Sequence, residues 1–308
     1  MPDSSLSSSK VLVTGAAGFL GSHLCDHLGQ CGAEVHGVSR LDREGGAEGI
    51  RWLRSAFDSA DEVDRVLRRV RPDVVYHLGG HVSAAPEIDH VLPTFSSLLA
   101  STVYVLLRGT ELGCRRIVLA GSFTEPSGGV SVPSSPYAAA KWCSSAYARM
   151  FRELYQTPVV VARTFITYGP RQKETKVVPY AVSSLLRGLP PRLSSGTLAA
   201  DWIYVEDVIS GLIAAATVPE AVGKEIDLGT GTLVSLREVV ERIVGIVKPS
   251  VQPQFGAFRD RPGVQGRAAD VERSWALLGW RATTPLATGL ERTIAWHRRQ
   301  LEGAGGSG

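Results

Sequence analysis

The stretch Val11-Leu12-Val13-Thr14-Gly15-Ala16-Ala17-Gly18-Phe19-Leu20-Gly21 decides the fold. An apolar, β-rich run, Val11–Thr14, closes on a glycine, and Phe19, Leu20, Leu24 and Leu28 then follow at helical spacing. Strand, glycine turn and helix make the opening of a βα unit. The glycines are spaced GxxGxxG. Gly15 permits the tight turn, Gly18 lets the backbone approach a pyrophosphate, and Gly21 lets the helix pack closely on the strand. The start of the helix adds unpaired N–H groups and a partial positive charge for phosphate oxygens. Gly15, Ala17, Gly18, Phe19, Leu20 and Gly21 are therefore read as the cradle of a dinucleotide.

Working outward, short apolar runs alternate with helical patterns. Glu34–Val38, Asp73–Leu78, Arg116–Ala120 and Val159–Arg163 read as further strands. Asp61–Val70 reads as an amphipathic helix with Val63, Val66, Leu67 and Val70 on one face, and Leu92–Leu112 and Tyr137–Tyr155 as two more helices. Alternation of this kind predicts an α/β fold, a Rossmann-type doubly wound parallel sheet covered on both faces. Ligands of such sheets lie at the carboxyl ends of the strands, so the chemistry is expected just after Thr14, Val38, Leu78, Ala120 and Arg163. Leu78, Gly79 and Gly80 join the expected cofactor contacts. After Gly169 prolines punctuate shorter elements, although Trp202–Val208 and Glu225–Leu228 still read as sheet-associated. The division expected is a flexible N-terminus (1–9), a dinucleotide-binding domain (10–169, with returns near 200–230), a smaller C-terminal lobe (170–300) and a flexible tail (301–308).

Two segments carry the chemistry. The second strand runs out into Gly37-Val38-Ser39-Arg40, without the acidic residue that accepts hydrogen bonds from a ribose 2′-hydroxyl. Ser39 and Arg40 suit a 2′-phosphate, since arginine presents a planar, permanently charged fork; NADP(H) is preferred and NAD(H) stays possible, with Asp42 nearby. The other segment is Ser134-Ser135-Pro136-Tyr137-Ala138-Ala139-Ala140-Lys141. Ser135 suits an N-cap and Pro136 the first helical position, which puts Tyr137 and Lys141 on one face at i and i+4. A phenol is a poor acid–base group near neutrality, and a lysine ammonium close by is expected to favour the phenolate and lower its pKa. Ser122, just past a strand end, is expected to hydrogen-bond the substrate oxygen and relay its proton to Tyr137, with Thr124 two residues on for a neighbouring hydroxyl.

TGAAGFLG, Ser122, Tyr137 with Lys141, and the downstream segments RTFITYGPRQ and WIYVEDV together resemble the extended short-chain dehydrogenase/reductase family, in its sugar-nucleotide epimerase/dehydratase branch. The resemblance runs from about Lys10 to Arg298 and includes Arg261-Pro262-Gly263, Asp270 and Leu278-Gly279-Trp280. It implies a substrate lobe, a nucleotide-sugar substrate and a homodimer built from two long helices per subunit, here about 93–112 and 137–155. Dehydratases and decarboxylases of this branch carry acidic residues just after the catalytic hydroxyl. Phe123 and Thr124 stand there, so dehydration is rejected. Ile166 and Ala200 stand where an Asn and an Arg usually contact the diphosphate; Arg192 and Arg267 resemble other nucleotide-contacting positions. His81, Ser83, Ser122, Thr124, Thr167, Arg192 and Arg267 are taken as substrate contacts, with Val82, Tyr168 and Gln172 as further pocket candidates. The leading expectation is a ketoreductase that delivers hydride from NADPH to C4 of a thymidine-diphosphate-linked 4-keto-6-deoxy sugar, with Tyr137 as proton donor. The alternatives are an epimerase that keeps NAD and a non-catalytic dinucleotide sensor.

Composition sets the outer bounds. The chain has 308 residues, 44% hydrophobic and 20% charged, and a net charge of +3 from 33 basic and 30 acidic residues. That balance argues against nucleic acid as the main partner and against disorder. Cys25, Cys31, Cys114 and Cys143 form no CxxC pair and no metal-ligand spacing, so reduced thiols, no metal and a cytoplasmic setting are expected. No secretory signal is read at the N-terminus, and no apolar stretch is read as reaching membrane-span length.

Overall fold

A computed structural model describes residues 4–43, 49–126, 132–260 and 266–305. Arg261-Pro262-Gly263 lies outside the described residues. The chain forms two compact units. The first comprises Met1–Thr164, Ile209–Asp227 and Glu272–Trp280; the second comprises Phe165–Val208, Leu228–Val271 and Arg281–Gly308.

The first unit is built on β1 (Lys10–Thr14), β2 (Glu34–Ser39), β3 (Arg51–Arg54), β4 (Val74–His77), β5 (Arg116–Ser122) and β6 (Val159–Thr164). With β9 (Glu225–Leu228) they form a seven-stranded sheet in the order β3-β2-β1-β4-β5-β6-β9. The pairings β1–β2, β1–β4, β2–β3, β4–β5 and β5–β6 are parallel. Chain order runs outward in both directions from β1 and β4, which makes their junction the switch point where an α/β sheet opens a crevice. Register aligns the carboxyl ends: Thr14 lies opposite Val38 and His77, and His77 opposite Leu119. Central strands are buried along their length, as the apolar runs predict; Val11, Leu12, Val13, Val74, Val75 and Tyr76 are all sealed from solvent.

Around the sheet lie α1 (Phe19–Gln30), α2 (Ala60–Val70), α3 (Ile88–Glu111) and α4 (Pro136–Tyr155). Helix α2 begins at Ser59, whose hydroxyl accepts from Glu62 N–H, and it buries Val63, Val66, Leu67 and Val70, the face its periodicity marks. Helix α3 is longer than the sequence suggested, and Phe95–Ala100 within it is wound as a π-helix. Contrary to the expectation that no stretch reaches span length, Ile88–Glu111 is long and apolar enough, by length and composition alone, to cross a bilayer. In the fold it buries Val105 and Leu106, and its Arg108 pairs with Asp64 of α2 at 3.1 Å.

The ends also depart from expectation. Leu6 is buried and Ser8 N–H donates to Gly32 O at 2.9 Å, so residues 6–8 pack on the unit. At the other end a helix, α9 (Leu286–Gly305), runs past residue 300.

The second unit contains β7 (Ile166–Tyr168), α5 (Val177–Leu186), β8 (Ala199–Tyr204), β10 (Leu233–Ser235), α7 (Leu236–Val247) and α9. Its sheet has the order β10-β8-β7, antiparallel then parallel. The buried Asp201 carboxylate staples it: Oδ1 accepts from Thr230 N–H and hydroxyl, and Oδ2 from Gly231 and Ala269 N–H. Trp202–Val208 is not one strand. β8 stops at Tyr204 and α6 (Val205–Thr217) starts at once, its first turn carrying Glu206 and Asp207, which favour a helix N-terminus. A further helix, α8 (Val271–Leu278), returns to the first unit.

Candidate active site

The glycine loop is built as its spacing requires. Gly15 has φ of 68°, and a Cβ there would lie 2.8 Å from Gly79 Cα, so the loops after β1 and β4 touch backbone to backbone. A Cβ on Gly21 would fall 2.1 Å from Gly15 O, which is how closely α1 rides over the turn. Gly18 caps α1 in an extended conformation with no side-chain hydrogen bond, and its own N–H donates to Gly15 O at 2.8 Å. Ala17, Phe19 and Leu20 complete this helix start and are partly exposed. The backbone donors of the first turn are thus left for an anionic ligand, so the loop fits a dinucleotide pyrophosphate on geometry alone.

Thr14 fixes the neighbouring loop. Its hydroxyl oxygen accepts from Leu78 N–H and Gly79 N–H at 3.1 Å each, and it bonds His77 Nδ1 at 2.9 Å. His77 in turn meets the Ser101 hydroxyl at 3.1 Å. Burial, helped by the Lys141 charge, pushes the His77 pKa down to about 3, so the imidazole is a neutral strut between β1, β4 and α3. At the end of β2, Ser39 is buried and accepts from Leu41 N–H, while Arg40 is exposed. Asp42 is engaged by Arg54 at 2.6 Å.

Tyr137 and Lys141 sit where the capping pattern puts them. Ser135 accepts from Ala138 N–H at 3.2 Å and Pro136 opens α4, so the first turn delivers Tyr137. The Lys141 ammonium lies 5.9 Å from the Tyr137 ring centre and donates to Ala120 O of β5 at 2.5 Å. Ser122 ends β5; its hydroxyl lies 2.8 Å from Thr124 Oγ1 and accepts from Thr124 N–H at 3.2 Å. Strand β5 and helix α4 therefore bring Ser122, Thr124, Tyr137 and Lys141 together.

One expectation fails. The Tyr137 pKa is not lowered but pushed up to about 12, by burial first, against which the Ser122 hydroxyl favours the phenolate, and with a further rise from the Glu125 carboxyl. Lys141 is itself buried, and its pKa falls to about 8. A lysine that has lost much of its own drive to stay charged does not offset the burial of the phenol.

Glu125 is the group that reading the sequence overlooked. It is buried; Oε1 accepts from Ser122 N–H and Oε2 from the Ser145 hydroxyl, both at 2.6 Å. Its signal was present, a carboxylate one residue past the two positions where dehydratases are expected to carry theirs, but Thr-Glu-Pro reads as an exposed turn. Because both its oxygens are occupied inside the unit, it does not replace the carboxylate missing at Phe123 and Thr124.

The remaining residues divide by unit. In the first, His81 Nε2 and His90 Nδ1 are 2.9 Å apart, Ser83 Oγ lies 3.3 Å from His90 Nε2, and Gly80 and Val82 are exposed. In the second, the Thr167 hydroxyl donates to Phe165 O, the Gln172 amide donates to Thr167 O, and the Tyr168 phenol donates to Leu286 O. Arg192 stacks on Phe258 at 5.2 Å, and Arg267 lies 5.8 Å from the Phe165 ring centre. Ile166 stands on β7 and Ala200, buried, on β8.

Comparison with known proteins agrees with this architecture. The model of the NAD dependent epimerase/dehydratase family matches residues 11–229. A UDP-glucose 4-epimerase of Mycolicibacterium smegmatis is 31% identical, the match covering 95% of this chain and all of that protein. A dTDP-glucose 4,6-dehydratase of Neisseria gonorrhoeae is 29% identical over 93% of this chain and 95% of its own. Among solved structures, MoeE5 in complex with UDP-glucose and NAD superposes with a TM-score of 0.84 at 29% identity, covering 95% of this chain and 99% of that one. The UDP-glucose 4-epimerase of Thermus thermophilus, in complex with NAD, gives 0.84 at 26% identity, covering 94% of this chain and 98% of that one. With glycine cradle, Tyr–Lys helix and strand-end serine in place, the chain belongs to the NAD dependent epimerase/dehydratase family and is an enzyme of the short-chain dehydrogenase/reductase superfamily.

Proposed function

We propose that the protein is a nucleotide-sugar epimerase that inverts a ring carbinol by oxidising and re-reducing the same carbon on a retained NAD. The observation that carries this reading is the hydroxyl pair of Ser122 and Thr124, 2.8 Å apart beside Tyr137, with the neighbouring carboxylate, Glu125, turned inward. Elimination of water from a sugar needs an acid–base group at the neighbouring carbons; inversion needs only one proton acceptor that also gives the proton back. A bound nicotinamide supplies the two-electron acceptor and donor. Tyr137 takes the hydroxyl proton and returns it, Ser122 orients the oxygen, and Lys141, anchored on Ala120 O, holds positive charge beside the phenol. Similarity to UDP-glucose 4-epimerases over nearly the whole chain supports the reading.

This displaces the NADPH-dependent ketoreductase as the leading reading. That second reading keeps one observation in its favour: Arg40 is exposed just past β2 while Asp42 is held by Arg54, which suits a 2′-phosphate. One experiment separates them. Purified protein is denatured and assayed for released NAD, then intact protein is given UDP-glucose or UDP-galactose with no added cofactor. Retained NAD and formation of the C4 epimer are expected. Loss of NADPH in stoichiometric proportion to an added dTDP-4-keto-6-deoxy sugar, with no retained NAD, establishes the ketoreductase instead.

A further inference from the structure

Glu125 has a place built for it. A Cβ on Gly121 would lie 2.8 Å from Glu125 Oε1 and 2.8 Å from Arg163 Cγ, so the absence of a side chain at this point of β5 is what admits the carboxyl. Its two oxygens are both used, one by the backbone of Ser122 and one by Ser145 of α4. Lys141 grips the same strand at Ala120 O, two residues before Ser122, which is a separation of about 7 Å along a strand. We propose that Glu125 is a positioning residue: its carboxylate pins the Ser122 turn and supplies the negative charge that holds the buried Lys141 ammonium beside Tyr137.

The ionisable groups around it come from three elements. Helix α4 brings Lys141 and the Tyr137 phenol, β6 brings Arg163, and β4 brings His77, which lies close enough to Lys141 to feel its charge. Arg163 is shared, since its Nε donates to Asp227 at 2.7 Å and its Nη1 to Glu225 at 3.1 Å, and Arg149 also pairs with Glu225. Two acidic partners already engage Arg163, and Lys141 acts on Glu125 more strongly than Arg163 does. Burial is the largest influence and pushes the Glu125 carboxyl above its ordinary value, while the Ser145 hydroxyl, the Ser122 N–H, Lys141 and Arg163 each favour the ionised form against it. Glu125 in turn favours the charged form of Lys141 against that side chain's own burial. Each charge therefore favours the other.

The inference rests on Tyr137 and Lys141 being the reacting pair, but its test needs neither substrate nor added cofactor, so a wrong substrate assignment leaves it untouched. Protein carrying 13C-labelled lysine is titrated by NMR, and the Lys141 signal among six lysines is identified by its loss in Lys141→Met. In Glu125→Gln the amide oxygen still accepts from Ser122 N–H, but the charge is gone. The Lys141 midpoint is expected to fall by on the order of one pH unit. Ser145→Ala, which strips one donor from the carboxylate, is expected to move it the same way by less, and serves if Glu125→Gln does not fold. A group that only fills space lowers the melting temperature and leaves the midpoint where it was; that result in either variant overturns the proposal.

Discussion

At the residue scale the site rests on a phenol that burial makes a weaker acid than free tyrosine. With its pKa pushed up to about 12, Tyr137 is a proton donor by default and becomes a base only when positive charge is brought against it. Tyr137→Phe removes the exchangeable proton without altering the ring. Turnover is expected to fall by about 10²–10⁴-fold while dinucleotide affinity stays within a factor of a few, as read by initial rates and by fluorescence titration with NADH. Arg40 gives a second residue-level test. Arg40→Ala is expected to leave NADH binding unchanged; a large selective loss of NADPH affinity is the outcome the ketoreductase reading requires. Tyr137, Lys141 and Ser122 were legible because each answers to a local rule, an N-cap, an i,i+4 pair and a strand end. The direction of the Tyr137 shift was not, because desolvation follows from the packed fold and not from the local spacing. Glu125 was missed because its burial depends on Ser145, which meets it only once α4 lies against β5, although its bond to Ser122 N–H is local.

At the scale of elements, α4 converts a cap into chemistry. Ser135 accepts from Ala138 N–H, and this one hydrogen bond sets where the first turn, with Tyr137, begins. Ser135→Ala is expected to cost about 1 kcal/mol of stability by urea unfolding, and to lower kcat more than it raises KM, since the phenol and not the binding surface loses its anchor. The glycine loop is stricter. A methyl on Gly21 would lie 2.1 Å from Gly15 O, so Gly21→Ala is expected to lift α1 off the turn and abolish dinucleotide binding, measured by the same fluorescence titration. Strands with continuous apolar runs were readable from the sequence. β3, Arg51–Arg54, was not, because a four-residue edge strand with arginine at both ends carries almost no periodicity. The division of Trp202–Val208 was hidden as well: an apolar run passes from β8 into α6 without a break in hydrophobicity, and only the acidic pair Glu206 and Asp207 marks the change.

For the whole molecule, two consequences follow from what is buried and what is left bare. His77 is held neutral, its pKa depressed from 6.5 to about 3, whereas the unfolded chain takes up that proton near 6.5. Its contribution to stability is therefore whole above pH 6.5 and is lost progressively as pH falls towards 3, at up to about 1.4 kcal/mol per pH unit. Urea midpoints measured between pH 7 and pH 4 are expected to fall more steeply in the wild type than in His77→Asn, even though the variant starts less stable. The second consequence concerns the outer helices. Ile88, Leu92 and Phe95 recur at i, i+4 and i+7 along α3 and are exposed, as are Trp142, Tyr147, Leu154 and Tyr155 on the neighbouring α4. Large apolar side chains left bare on two adjacent helices form a surface of the kind that partners use. The homodimer expected from the family resemblance would use these two helices, and its self-matching faces suit a twofold arrangement. Sedimentation equilibrium is expected to give twice the chain mass, and Leu92→Glu with Trp142→Glu to give the single chain with the dinucleotide site intact. A wild type that sediments as one chain at assay concentrations overturns the dimer and leaves these exposed side chains without that explanation.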